Sequence, residues 1–305
     1  MESLRIGTRG SRLAWWQAQF VADRLRPMAA ERPIELVEIQ TAGDQVRDVP
    51  LSRIGGDGVF TKEIQRALLA GAVDVAVHSL KDVPTAAVDG LVLAAVPSRG
   101  PVSDVFVSRN HRSFDALPSG AVVATSSLRR RAQALYRRPD LRVVDMRGNV
   151  ETRLRKLEEQ NLDGIILAQA GLERLGLHTA VTELLHPAWM LPAVGQGALG
   201  LECRSNDRIT HRLIKQLDDR AAHQAVLAER ALLRRLGGGC LVPIGAASEV
   251  IGDSLALRAA VFHPDGKDRV QNLIVGPLAE GEDLGRRLAL VLLKQGAGAL
   301  LDLVG

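Results

Sequence analysis

The chain has 305 residues, 46% hydrophobic and 24% charged, with a formal net charge of +4. That is an ordinary soluble composition, long enough for two or three domains, and no apolar run approaches the roughly 20 residues a membrane helix needs. Two cysteines, Cys203 and Cys240, are too few for a disulfide framework or a thiolate metal site, so no metal is expected. Met1-Glu2-Ser3-Leu4 runs straight into Arg5-Ile6 without a signal-peptide core, which predicts an intracellular, cytoplasmic protein. Lysine occupies only positions 62, 81, 156, 215, 267 and 294, so 33 of the 39 basic residues are arginine. A GC-rich genome accounts for most of that count but not for where the arginines fall.

Leu4-Arg5-Ile6 reads as a short strand, Gly7-Thr8-Arg9-Gly10 as a turn, and Ser11 as the cap of the next helix. Leu13, Trp16, Phe20, Val21 and Leu25 recur at helical spacing and predict its core face, with the tryptophans as packing residues. A second strand is expected over 34–41. Residues 41–58 lack periodicity, contain Gly55-Gly56-Asp57-Gly58, and read as a mobile loop long enough to be a lid. Phe60, Ile64, Ala67 and Leu68 mark a helix leading to Asp74. The apolar run Val75-Ala76-Val77 then reads as a buried strand that stops at His78, Ser79, Lys81 and Asp82, with Pro84 barring an easy continuation. Such a strand puts its polar residues at the carboxyl end of a sheet, where open α/β folds hold ligands. After a strand over 91–96, Pro97-Ser98-Arg99-Gly100-Pro101 marks a domain crossing.

The plan then repeats. A strand over 121–124 leads to Thr125-Ser126-Ser127 as a cap and to an Arg-rich helix from Leu128. A strand over 141–145, a helix over 150–162 and a buried strand over 164–168 led by Asp163 follow. Strand–Thr–cap–helix near residues 8 and 125, and helix–Asp–strand at Asp74 and Asp163, predict two similar α/β domains with ligand in the cleft between them. Residues 191–198 form the second crossing, and a strand over 199–203 returns the chain to the first domain. Asn206 and Asp219 are the expected caps of two further helices. Strands over 255–262 and 270–275 and a helix over 285–296 complete a third, α+β domain.

Arginines concentrate where anions bind. Arg129 and Arg130 follow Thr125 and Ser127 at a helix start, Arg9 and Ser11 hold the matching start in the first repeat, and Arg147 and Arg153 flank the next helix. Several forked cations at equivalent turns predict a ligand with more than one carboxylate or phosphate. Neither phosphate-loop pattern is present. Three glycines strip side-chain bulk from before Cys240, where a ligand could approach a covalently used thiol, whereas Cys203 reads as a buried small residue in its strand.

The segments TRGSRLAWWQ, GGDGVFTKEI, DVAVHSLKDVP, TSSLRRRAQ, RGNVETRL, LPAVGQGALG and AERALLRRLGGGCLVPIG, in order, resemble the porphobilinogen deaminase (hydroxymethylbilane synthase) family. The resemblance runs from Arg5 to about Ala247 and is loose only in the C-terminal sheet. It implies an α/β fold of two periplasmic-binding-protein-like domains around a cleft, 1–97 with 197–217 and 98–196, plus a smaller α+β domain over 218–305. It implies a transferase of heme and porphyrin biosynthesis that joins four porphobilinogens head to tail with loss of ammonia and yields a linear tetrapyrrole. It also implies a dipyrromethane cofactor held by a thioether to Cys240. Asp82 matches the family's catalytic aspartate. Arg9, Ser11, Ser79, Lys81, Thr125, Ser127, Arg129, Arg130, Arg147 and Arg153 match carboxylate-binding positions; Arg174 and Gln196 match less centrally. Phe60 matches an aromatic near the cofactor rings. Arg53 keeps the charge of a position that is often lysine, whereas Asp57 reverses one. A monomer acting on a small molecule, with no nucleic acid and no membrane, is expected. The alternatives are a non-catalytic anion-binding protein on the same cleft, against which the third domain with Cys240 counts, and a nucleic-acid binder. Only Phe60 and Tyr136 could stack near basic clusters in the latter.

Overall fold

The first apolar run forms β1, Leu4–Thr8, and the turn after it starts α1, Arg12–Leu25. Ser11 caps α1 by accepting a hydrogen bond from the Ala14 N–H at 3.3 Å. The computed structural model describes residues 2–29, 32–41, 58, 61–239 and 242–304. In chain order there follow β2 (Ile34–Glu38), α2 (Lys62–Leu69), β3 (Val75–Ser79) and β4 (Leu91–Ala95). Next come β5 (Asp104–Val107), β6 (Val122–Ala124), α3 (Leu128–Arg137), β7 (Arg142–Val144), α4 (Val150–Glu159), β8 (Gly164–Ala168), α5 (Gln169–Arg174) and β9 (Glu183–Leu184). The last part holds β10 (Leu199–Arg204), α6 (Arg208–Ile214), α7 (Arg220–Arg235), β11 (Ile244–Ile251), β12 (Ser254–Phe262), β13 (Arg269–Pro277), α8 (Gly281–Lys294) and α9 (Ala297–Leu301). No helix among the described residues is long and apolar enough to cross a membrane.

Two compact units result, Met1–Gly100 with Gly197–His223, and Pro101–Gln196 with Gln224–Gly305. The first unit holds the sheet β2-β1-β3-β10-β4, and the second holds β7-β6-β8-β5-β9 together with the antiparallel sheet β11-β12-β13. The two five-stranded sheets share one plan. In each, the first strand of the repeat pairs in parallel with the next strand on one side and with the later central strand on the other. An antiparallel strand from a distant part of the chain, β10 or β5, then continues the sheet. The internal repeat expected from the sequence is therefore a repeat of topology.

Both faces of each large sheet are buried. Val75 and Val77 of β3 pack with Leu4, Ile6 and the α1 residues Ala18, Val21 and Leu25. Ala76, on the opposite face, packs with Ile64 and Leu68 of α2. In the second unit, Phe106 and Ile166 share one core cluster while Val105, Ile165 and Leu167 share the other. The small sheet buries Ala260 and Phe262 against Ala132 of α3 and Leu191.

The repeated aspartates pin the sheets at their inner ends. Asp74 N–H donates to the Arg5 carbonyl at 2.8 Å, and the Arg5 N–H donates back to the Asp74 carboxylate at 3.0 Å. Asp163 and Val122 exchange the same two bonds at 3.0 and 2.7 Å. Each side chain thereby ties its aspartate to the neighbouring strand near where parallel pairing begins. Asp74 also receives the guanidinium groups of Arg5 and Arg204, each at 3.0 Å.

Several sequence expectations shift. Trp16 is 38% exposed, and the face of α1 turned to the sheet is Gln17, Ala18, Val21, Ala22 and Leu25. Ala18 and Ala22 let the helix lie close to the strands, which leaves Trp16 to stack on Phe20 at 5.2 Å outside the core. Asp207, not Asn206, caps α6, accepting from the Thr210 N–H at 3.0 Å. Asp219 does cap α7, accepting from Ala222 N–H at 3.0 Å. β5, β9 and β11 were not expected, and α8 begins four residues before the predicted 285. β5 is short and opens on a charged residue, so it shows neither the length nor the apolar run of a buried strand. The loop expected over 41–58 falls almost entirely outside the described residues.

Burial alone would raise the Asp74 carboxyl, but the hydrogen bonds from Arg5 and Arg204 outweigh it and hold the group below its ordinary value. A depressed carboxyl contributes stability that is complete above about pH 4 and is lost as pH falls through the lowered value. We predict that Asp74→Asn costs about 2 kcal/mol near neutral pH, the scale of hydrogen bonds to a charged group. Urea denaturation should show that difference shrinking below about pH 4.

Candidate active site

The carboxyl ends of the parallel strands carry most of the expected residues. β3 ends at Ser79, and a 3-10 turn over Leu80–Asp82 follows, with the Val83 N–H bonded to the Leu80 carbonyl at 3.2 Å. Asp82 and Lys81 are half-buried on this turn. Among the described residues no hydrogen bond or ion pair engages the Asp82 carboxylate. The parallel register places Ile6 beside Val75 and Gly7 beside Ala76, so the turn bearing Arg9 and Ser11 lies at the same edge as Ser79 and Asp82. Ser79 is itself held by Gln17 of α1, whose amide donates to the Ser79 hydroxyl at 2.8 Å.

The second unit builds the equivalent edge from arginines. Thr125 follows β6, and its hydroxyl accepts from the Ser127 N–H at 3.2 Å. Ser127 caps α3, accepting from Arg130 N–H at 3.4 Å. Arg147 follows β7 and is half-buried, and its Nη1 is buried without a hydrogen-bond partner among the described residues. Arg153 is half-buried on α4 and donates through Nε to the Gly148 carbonyl at 2.8 Å. Arg174 closes α5, where burial pulls its guanidinium down to about 10, still charged at neutral pH.

Arg129 and Arg130 are occupied differently from the sequence expectation. Both are buried and both converge on Asp104, which is 0% exposed at the head of β5. Arg129 Nη1 donates to one carboxylate oxygen at 2.6 Å, and Arg130 Nε and Nη2 donate to the other at 3.0 and 2.7 Å. The Gln196 amide adds a bond to Asp104 at 2.9 Å and one to the Val102 carbonyl at 2.7 Å. Arg129 and Gln133 also bind the Leu191 carbonyl, at 2.5 and 3.0 Å. Thus Asp104 ties the start of α3 to both chain crossings. Burial by itself would raise the Asp104 carboxyl, yet the two adjacent guanidinium charges hold it far below the carboxylate range. Arg129 Nε has no hydrogen-bond partner among the described residues.

Asp104, Gln17 and Glu202 were not singled out from the sequence, and His78, expected among the polar residues where the strand stops, lies buried within β3. A charged first residue in a short apolar strand, as in Asp104-Val-Phe-Val, is the signal available for Asp104, because a buried carboxylate requires a cationic partner. Gln17 shows no signal, since a glutamine on a helix reads as a surface residue until a partner is placed beneath it. Arg53, Asp57, Phe60 and Cys240 lie outside the described residues.

Comparison with known proteins shows the family. Residues 4–212 match the family profile described as "Porphobilinogen deaminase, dipyromethane cofactor binding domain", and residues 223–294 match "Porphobilinogen deaminase, C-terminal domain". The chain belongs to the porphobilinogen deaminase family. It is 50% identical over 299 residues to the porphobilinogen deaminase of Syntrophotalea carbinolica, covering 98% of this chain and 95% of the relative. It is 49% identical over 298 residues to that of Pelotomaculum thermopropionicum, covering 98% and 96%. A solved structure that it resembles, at 11% identity and a TM-score of 0.43, is a putative methionine-binding lipoprotein from Bacillus subtilis, over 71% of this chain and 89% of that one. A porphobilinogen deaminase is a transferase that joins porphobilinogen units into the tetrapyrrole chain on a dipyrromethane cofactor. Among the described residues, Arg147 Nη1 and Arg129 Nε are buried donors without a hydrogen-bond partner.

We predict that Asp104→Asn lowers stability at pH 7 by about 3–5 kcal/mol, because it leaves two buried guanidinium groups without their anion. The wild-type contribution is complete above about pH 4 and lost only as pH falls through the depressed value. The variant should therefore lose stability less steeply than wild type in strong acid, measured by denaturant titration across pH.

Proposed function

We propose that Asp82 is the catalytic carboxylate and that the arginines hold the acetate and propionate groups of porphobilinogen and of the growing chain. The observation that supports this reading is the half-buried, unengaged Asp82 carboxylate on a turn held from both faces of the sheet. The division of the chain into α/β domains 1–97 with 197–217 and 98–196, and an α+β domain 218–305, belongs to the same reading. So do a cytoplasmic location and a monomer that contacts neither nucleic acid nor membrane.

Each addition breaks the bond between the aminomethyl carbon of porphobilinogen and its nitrogen. It forms a carbon–carbon bond to the preceding pyrrole, whose ring carbon loses a proton. Departure of ammonia leaves positive charge on the substrate ring, conjugated to its N–H. A carboxylate about 4 Å from that charge offers on the order of 4 kcal/mol at an effective dielectric near 20, roughly a thousandfold in rate. Asp82 also accepts and returns protons between the leaving amine and the ring carbon. Arg9, Lys81 and Ser11 orient one substrate carboxylate at the same edge. Arg147, Arg153 and the N-terminus of α3, with Thr125 and Ser127, take others, and Arg174 and Gln196 act at the margin. Arg129 and Arg130 act mainly by shaping that helix start through Asp104. Arg53 and Phe60 contribute from the glycine-rich segment, where Asp57 would repel a carboxylate held against it.

The dipyrromethane, tethered to Cys240, supplies the pyrrole carbon on which chain growth begins and stays on the protein when the product leaves. A thioether keeps the primer through every turnover, which no noncovalent site guarantees while the chain grows and is cut. Intact mass should therefore exceed the sequence mass by one dipyrromethane unit, and Cys240→Ser should lose both that increment and nearly all activity. An unmodified Cys240 in fully active protein contradicts this assignment. Asp82→Asn should load cofactor and fold normally while turnover falls by about three orders of magnitude, with Asp82→Glu keeping part of it. Near-normal turnover in the Asn variant rules out the role.

A further inference from the structure

Behind Asp82 lies a buried titratable pair that the reaction as described does not use. His78, four residues before Asp82 on β3, is 4% exposed, and Glu202 on the adjacent β10 is 7% exposed. His78 Nε2 sits 3.0 Å from Glu202 Oε2, at an angle outside hydrogen-bond geometry. The Gln65 amide of α2 donates to the same oxygen at 3.0 Å. Ordinary packing would fill this space with apolar side chains, as it does one strand position earlier at Ala76.

Side chains alternate along a strand, so His78 and Ser79 leave β3 on opposite faces. Ser79 is gripped by Gln17 of α1, and His78 lies against Glu202 of β10, which Gln65 of α2 holds in turn. The turn itself is keyed into β10. Leu80 N–H donates to the Ala198 carbonyl at 3.0 Å, and the Leu80 side chain fills the place where a Cβ on Gly200 would approach it to 2.6 Å. Every one of these contacts fixes the end of β3 immediately before the residue that carries the carboxylate. A buried ion pair is a weak source of stability compared with apolar groups of the same volume. What it does here is local: it holds the end of β3 against β10, and a displaced strand end displaces whatever follows it.

We propose that His78, set against a Glu202 that Gln65 holds, is a positioning residue for Asp82. The pair fixes the height and twist of the β3 terminus and so the direction in which the Asp82 carboxylate leaves the sheet. The inference rests on the reading of Asp82 as the catalytic carboxylate. A displacement of about 1 Å at a reacting group costs about a hundredfold in rate, while substrate carboxylates held by other residues bind as before. The signature is thus a fall in kcat with KM preserved.

The test compares the two ends of one strand. His78→Gln and Glu202→Gln alter the carboxyl end, whereas Asp74→Asn loosens the same sheet at the opposite end without touching the turn. Each full-length, cofactor-loaded protein is assayed with porphobilinogen well below its melting temperature, and cofactor content is read by intact mass. We expect His78→Gln and Glu202→Gln to lower kcat per loaded enzyme about tenfold or more with KM within about threefold, and Asp74→Asn to lower the melting temperature with kcat within about twofold. If His78→Gln does not accumulate as folded protein, the nearly isosteric Glu202→Gln carries the test. A kcat within about twofold of wild type in the assayed pair variants overturns the inference, as does an equal kcat loss in Asp74→Asn. Asp82→Asn, assayed alongside, separates the two claims. Normal turnover there removes the reading of Asp82 and the inference with it, whereas low turnover there with normal turnover in the pair variants overturns the inference alone.

Discussion

A strand buried on both faces of a parallel sheet carries apolar side chains along its length, so polar chemistry can enter only where the strand stops. Asp74 and Asp163 each accept an N–H of the neighbouring strand near where the parallel pairing begins. The parallel register brings the ends of the paired strands, with Asp82 beyond one in the first unit and the arginine-bearing turns beyond others in the second, to one edge of each sheet. Moving either register by one residue would turn each side chain of the strand to the opposite face.

The two units solve the same topological problem with opposite charge. In each, an antiparallel strand arrives from a distant part of the chain and lies beside the central strand. In the first unit β10 brings Glu202 to His78. In the second, β5 brings Asp104 to Arg129 and Arg130. Each visiting strand therefore delivers one carboxylate into a basic or potentially basic site, and each joins segments far apart in sequence. In the first unit the Asp82 carboxylate, on the turn beyond, has no hydrogen bond or ion pair among the described residues. The second uses the Asp104 carboxylate internally, and Arg129 Nε beside it has no hydrogen-bond partner among the described residues.

That difference decides how the arginines divide. A guanidinium buried without an anion is costly, and Asp104 removes the cost for two of them. Arg147 and Arg174 stand in other circumstances, the first with a buried donor that has no acceptor among the described residues and the second desolvated enough to lower its affinity for its proton. An acceptor arriving from solution gains most where donors are already desolvated, because less water remains to be displaced. Near-identical side chains at successive strand ends thus sit in different surroundings, as internal struts on Asp104 in one place and as desolvated cations in another.

Much of this was legible in the residue order. Apolar runs, Pro and Gly punctuation, the paired Asp-led strands and the Ser caps at Ser11 and Ser127 are local signals, set within a few residues by sterics and hydrogen bonding, and they located β1, β3, β6 and β8 and the helices α1 and α3 that follow the first and third of these. Motif order also singles out Asp82 and Cys240 for the roles proposed above. The fate of each polar side chain was not local. Whether Arg129 meets a protein carboxylate depends on β5, which reaches it from 25 residues away in the chain. Whether Trp16 packs or stacks outside the core depends on how closely Ala18 and Ala22 bring α1 to the sheet, and His78 becomes a buried partner only because β10 returns from the far side of the second unit. Propensity and pattern are properties of neighbours in sequence. Burial, charge pairing and the direction of a side chain are properties of neighbours in space, and only the folded sheets bring those together.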